Sequence, residues 1–139
     1  MTRRRWPWLL AAIALLIAGG AGYDKLQFRR SDLGFRHVTG VDLPANVTAF
    51  AHGQEMNDNL LHTTHYWRLQ GPRAYLREFA KEFGLTRSDE DAGRTLQEAM
   101  TILPMGPNRL IEGYEGSRDG GRDRWLIVVE PGDQAVFAY

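Results

Sequence analysis

Residues 59–71 read NLLHTTHYWRLQG, and whether this stretch is a strand or a helix decides the fold. On a strand, alternate side chains point to opposite faces. One face then carries Leu61, Thr63, His65, Trp67 and Leu69, and the other Leu60, His62, Thr64, Tyr66 and Arg68. Thr63, Thr64, Tyr66 and Trp67 favour extended chain, because β-branched and aromatic groups fit a pleated, half-buried surface. Gly71 and Pro72 end the strand, and Pro72 opens a helix, whose first turn needs no N–H from it. The stretch is read as the central strand of a sheet, with Leu61, Trp67 and Leu69 facing inward.

Working outward, residues 47–53 form an expected strand after the boundary at Pro44, and 54–58 a polar hairpin loop. Residues 72–83 form an amphipathic helix in which Tyr75, Leu76, Phe79, Ala80 and Phe83 recur at helical spacing. Gly84 stops it. Ser88 is a natural N-cap, and Asp89, Glu90 and Asp91 suit the positive end of a second helix. That helix runs to about residue 103, buries Ala92, Leu96, Ala99, Met100 and Leu103, and closes at Pro104. Residues 109–115, 124–130 and 134–139 read as strands, with turns at 117–121 and at Pro131-Gly132-Asp133. The order β-β-α-α-β-β-β predicts an α+β fold, an antiparallel sheet with two helices packed on one face.

The beginning of the chain is of another kind. Arg3, Arg4 and Arg5 precede an uncharged run of 18 residues from Trp6 to Tyr23. A helix of that length reaches roughly 27 Å, enough for a bilayer core. Trp6, Trp8 and Tyr23 suit the two interfaces. Residues 1–23 are therefore read as an N-terminal transmembrane anchor. The rival is a signal peptide, with the small residues at 18–22 offering a cleavage site. Flanking positive charge is tied, three arginines against Lys25, Arg29 and Arg30. The tight arginine cluster still favours an amino terminus inside and a domain outside the cytoplasm. This gives a single-pass protein of the cytoplasmic membrane, or a secreted or periplasmic one if the leader is cut. Residues 24–40 are expected to be a polar stalk, or one short helix with Leu26, Phe28, Leu33 and Phe35 touching the domain. The domain itself covers 41–139.

The 139 residues hold 17 basic and 17 acidic groups. Without the leader arginines the balance is mildly acidic, a poor match for nucleic acid, which needs a concentrated basic face. The absence of cysteine excludes disulfides, thiol catalysis, cysteine metal sites and lipoprotein acylation.

His62-Thr63-Thr64-His65 resembles a metal pair, but on a strand a spacing of three sends the rings to opposite faces. Zinc wants three or four converging ligands, so no metal or cofactor is expected. His65 is read as a core-face histidine bonded to a neighbour. His52, on the preceding strand, is placed near Leu60 or His62, with Asp58 and Glu55 at the same end. That grouping is the basis of an alternative acid–base site. No serine sits in a glycine-flanked nucleophile elbow, no glycine cluster has the context of a phosphate loop, and the acidic run at 88–91 lacks an EF-hand pattern. The preferred functional surface is the outer face of the strand, His62, Thr64, Tyr66 and Arg68, since tyrosine and arginine combine contact area with polar reach.

Leu43-Pro44-x-Asn46-Val47, the strand end Trp67-Arg68-Leu69, the Gly-Pro helix start and the hairpin at Pro131-Gly132 resemble small bacterial envelope proteins of uncharacterised function, membrane-anchored or secreted. The resemblance covers roughly residues 41–139 and implies a location and a shape, but no catalytic residue. The expected function is a membrane-tethered, non-enzymatic module that binds an envelope protein or peptide. The alternative is a small periplasmic hydrolase or metal-dependent enzyme using His52, His62 and Asp58.

Overall fold

The computed structural model describes residues 6–56, 63–118 and 122–139. Two helices come first, α1 (Trp6–Gln27) and α2 (Ser31–Thr39). There follow β1 (Thr48–Met56), β2 (Thr63–Gln70), α3 (Arg73–Glu82), the two-residue β3 (Thr86–Arg87) and α4 (Asp89–Ile102). The chain returns to strands with β4 (Leu110–Arg118), β5 (Arg122–Val129) and β6 (Gln134–Ala138). All the pairings are antiparallel, in one six-stranded sheet of order β1-β2-β6-β5-β4-β3. The α+β class and the strand character of the 63–70 stretch stand as read. The strand is not central, however, because β6 and β5 take that place.

The helices do not share one face. Phe35 of α2 and Leu76, Phe79 and Ala80 of α3 pack with Trp67, Leu69, Leu126, Val128, Ala135 and Phe137. On the opposite side, Ala92, Leu96 and Ala99 of α4 pack with Tyr66, Trp125, Ile127, Val129, Val136 and Ala138. Successive residues of β5 and β6 thus serve two cores. A strand buried on both sides reads as a continuous apolar run, which is why 125–129 shows no alternation. Both helices were expected over the Trp67 side. The correction follows from that run, since a sheet with one wet face has no use for it.

The contact between α4 and the sheet is close enough to restrict side chains. A Cβ on Gly113 of β4 would fall on Ala92 and on the Ser88 carbonyl, and one on Gly53 would fall on Ile102. Gly132, with φ at 105°, carries the turn into β6 in a conformation that favours glycine.

Residues 24–40 are not a stalk throughout. The helix begun at Trp6 continues to Gln27, and α2 closes on Gly40, whose N–H bonds the Arg36 carbonyl at φ 73°. Phe35 is fully buried, with its ring centroid 5.2 Å from Trp67 and 5.3 Å from Phe137. Along α1, Trp8, Leu9, Leu10, Ile13, Leu15, Leu16 and Ile17 are all exposed. Among the described residues, no helix is long and apolar enough to cross a membrane, so a transmembrane α1 is not supported by this measure.

Phe35 is the anchor of α2, and truncating it empties a filled site. Phe35→Ala is expected to cost about 3–5 kcal/mol, read as a lower urea midpoint at unchanged slope.

Candidate functional site

Of the row expected to form a binding face, Tyr66 and Arg68 are engaged within the fold. Tyr66 is 3 % exposed and lies in the α4 core. Burial pushes its phenol up to about 12, with Glu98 and then Glu55 adding to the effect. Arg68 donates from Nη1 to the Pro104 carbonyl at 2.9 Å and from Nη2 to Gln134 Oε1 at 2.7 Å. Its guanidinium also lies 4.6 Å from the Phe50 ring centroid. These contacts tie β2 to β6 and to the end of α4, a structural role. Thr64 is half-buried opposite Glu55. His62 and Asp58 lie outside the described residues.

The structure instead joins His52 and His65. The register sets His52 opposite Trp67 and Gln54 opposite His65; Leu60 and His62, near which His52 was expected, lie outside the described residues. His52 and His65 are diagonal neighbours on one face, a spacing within reach of long and aromatic side chains. Nε2 of His52 and Nδ1 of His65 are 3.0 Å apart, so one ring donates and the other accepts. The centroids are 5.3 Å apart and the planes differ by 22°. The rings therefore meet edge to edge, nearly in one plane, rather than face to face.

Phe28, between α1 and α2, lies parallel to both imidazoles, with centroids 4.6 Å from His52 and 5.5 Å from His65. Trp67 meets the same two rings at 5.0 and 5.6 Å. Phe28, His37 and Val38 from the helical side, and His52, Gly53, Gln54, Thr63 and His65 from the sheet, line an open recess of about 600 Å³. Burial holds His52 down to about 4, and the neighbouring His65 adds to this. His65 is lowered as well, by burial first and by His37 second. At neutral pH the recess is therefore lined by an uncharged, hydrogen-bonded imidazole pair. Among the described residues, no three histidine or carboxylate side chains are grouped to hold a metal.

A second polar cluster escaped the sequence reading. Glu112 of β4 is 1 % exposed and accepts from Arg73, from Arg77 (Nε to Oε2, 2.9 Å) and from the Tyr114 hydroxyl (2.7 Å). Arg87 adds a longer ion pair of 3.7 Å. The hydrogen bond from Arg77 above all holds the Glu112 carboxyl down to about 2, against its burial. A carboxylate so locked is a poor proton carrier, and its work is to fasten α3 onto β4. The signal was there in outline, an acid on an inward strand position and two arginines one helical turn apart. The 39 residues separating Arg73 from Glu112 concealed the pairing.

Two outcomes test these assignments. The arginines are about half exposed and Glu112 is not, so their loss is felt unequally. Removing Arg73 and Arg77 together strands a buried charge and is expected to cost about 3–5 kcal/mol. Glu112→Gln frees two guanidiniums to solvent and is expected to cost less, about 1–3 kcal/mol. For His52, the unfolded chain takes up a proton near 6.5 while the folded one resists until about 4. Stability is therefore full above 6.5 and falls as pH drops through that window. A Tm series from pH 7 to 5, above the range where Glu112 titrates, should slope more steeply for the wild type than for His52→Gln. Compared with protein-family models, with curated proteins and with solved structures, the chain matches none.

Proposed function

We infer that this chain is a membrane-tethered, non-enzymatic module of the cell envelope that binds a peptide segment of a partner protein in the recess lined by Phe28, Val38, Gln54, Thr63 and the imidazole pair. The observation that carries the reading is the recess itself. It is open, offers ring faces and an apolar Val38, and sets Gln54, Thr63 and neutral imidazoles around them. A concave, partly apolar site with a few converging polar groups is the usual form of a binding site. Tyr66 and Arg68 are engaged inside the fold, and this reading does not use them.

The tether is supported by α1. From Trp6 to Tyr23 it carries no charge, and its exposed leucines and isoleucines find no partner surface on the domain. The arginine triplet before it favours the domain on the outer side.

Leu15→Arg with Leu16→Arg, each costing about 2.5–3.5 kcal/mol at a bilayer centre, should shift the full chain from the membrane fraction to the soluble one. A reporter joined after Tyr139 should be silent in the cytoplasm. Filling the recess by Thr63→Trp should abolish co-purification of a membrane partner at unchanged Tm. Partner capture that survives the substitution counts against the recess.

A further inference from the structure

We propose that the seat of Phe28 is an acid-released latch: protons taken up by the histidines around it break the His52–His65 bond and free α1 to swing away from the domain. The latch requires neither a ligand in the recess nor a bilayer around α1.

The end of α1 meets the domain through histidines. Tyr23 packs edge-on with His37 at 6.0 Å between centroids, and Phe28 meets His37 edge-on at 6.1 Å. Phe28 also lies flat on His52 and His65. Three of the chain's four histidines are thus gathered at one junction. Gly34 of α2 completes the seat, since a Cβ there would fall 2.6 Å from the Phe28 ring. α2 has a second hold in Phe35, buried among Trp67, Phe79 and Phe137, so it stays in place when Phe28 leaves. The apolar side chains of α1 are exposed and give it no comparable hold.

Ring nitrogens 3.0 Å apart leave room for one proton between them. In the neutral pair the donor ring keeps its proton in the bond, and the acceptor ring carries its own on the outer nitrogen. A first added proton goes to the bare outer nitrogen of the donor and leaves the bond whole. A second has only the acceptor nitrogen, at which the donor's proton already points. The fully charged pair must therefore separate, and its parting removes the flat seat under Phe28. An imidazolium against a ring face is attractive, which helps the pair hold its first proton but makes no place for the second. The charged neighbours give no relief. The charge acting on His52 is that of His65, and the charge acting on His65 is that of His37. On the sheet side Arg124 stands beyond Tyr139, 5.1 Å from its ring. On the helical side Arg30 and Arg36 are paired with Asp32 and Asp42. Gln54 and Thr63, which also line the recess, are neutral. Released imidazoles titrate near 6.5, whereas seated His52 resists until about 4. Release is thus least favoured above 6.5 and grows as pH falls, about 30-fold by pH 5 from His52 alone.

The chain has no cysteine, so Leu16→Cys on α1 and Lys81→Cys on α3, both at exposed positions, accept a pair of spin labels without background. The distance between them is read by pulsed electron paramagnetic resonance in the full chain, in detergent micelles, from pH 7.5 to 4. A narrow distribution is expected at pH 7.5 and a broad one in acid, with the far-UV circular dichroism unchanged. The released fraction should rise about 30-fold or more by pH 5. Its growth should coincide with the titration of the His52 and His65 ring protons in the NMR spectrum of the wild type. Phe28→Ala should be broad throughout, and His52→Gln with His65→Gln narrow throughout. Should the glutamine pair fail to seat Phe28, the coincidence in the wild type still decides the matter. A wild-type distribution unchanged down to pH 4 would overturn the latch. So would broadening at a pH where neither imidazole titrates, equal acid broadening in the double-glutamine chain, or a Phe28→Ala chain as narrow as the wild type. Broadening accompanied by loss of the helical signal would mean unfolding of the whole domain and would overturn it as well.

Discussion

The sheet depends on one pairing, that of β6 with β2. Two hairpins, β1–β2 and β4–β5, are each local in sequence, and β6 is the strand that joins them in the sheet. Its five residues bond to β2 on one side and β5 on the other, over a separation of more than sixty positions from β2. The same strand feeds both cores, with Ala135 and Phe137 toward α3 and Val136 and Ala138 toward α4. Loops that long raise the entropy of closure only slowly with length, but they must close before any contact repays it. Burial on both faces offsets that cost, since every side chain from Ala135 to Ala138 leaves water.

Much of the architecture was legible because it is written locally. The alternation around Tyr66 and Trp67, the apolar spacing of α3, the acidic start of α4 and the turn at Gly132 each carry their own physical cause. What was misread needs information from elsewhere in the chain. The unbroken apolar run of β5 announces two covered faces, yet the second cover was assigned to the wrong side. α2 is polar at most positions, and one buried ring, Phe35, fixes it. β3 has two residues and no local signature, and exists because β4 offers it an edge.

The candidate site was legible in part. His52 was singled out, and His65 was expected to bond a neighbour, but the partner depended on the register between β1 and β2, which local spacing leaves open. Phe28 was named as a contact from a linking segment, without a hint that it would lie flat on two imidazoles. Tyr66 and Arg68 drew attention as an exposed pair, when their face is the one that α4 covers. The guanidinium cage of Glu112 belongs to the same class of long-range fact. It also has a clear division of labour: an ionised carboxylate fastens the α3 side, while the uncharged pair is left at the open edge.

Only Phe28, Arg29 and Arg30 separate α1 from α2. Three residues reach at most about 10 Å when fully stretched, and here the first of them is pinned on the histidine pair. Were α1 seated in a bilayer, as proposed above, such a short leash would deny the domain free tumbling and would hold anything docked beside Phe28 within a narrow layer above the membrane surface.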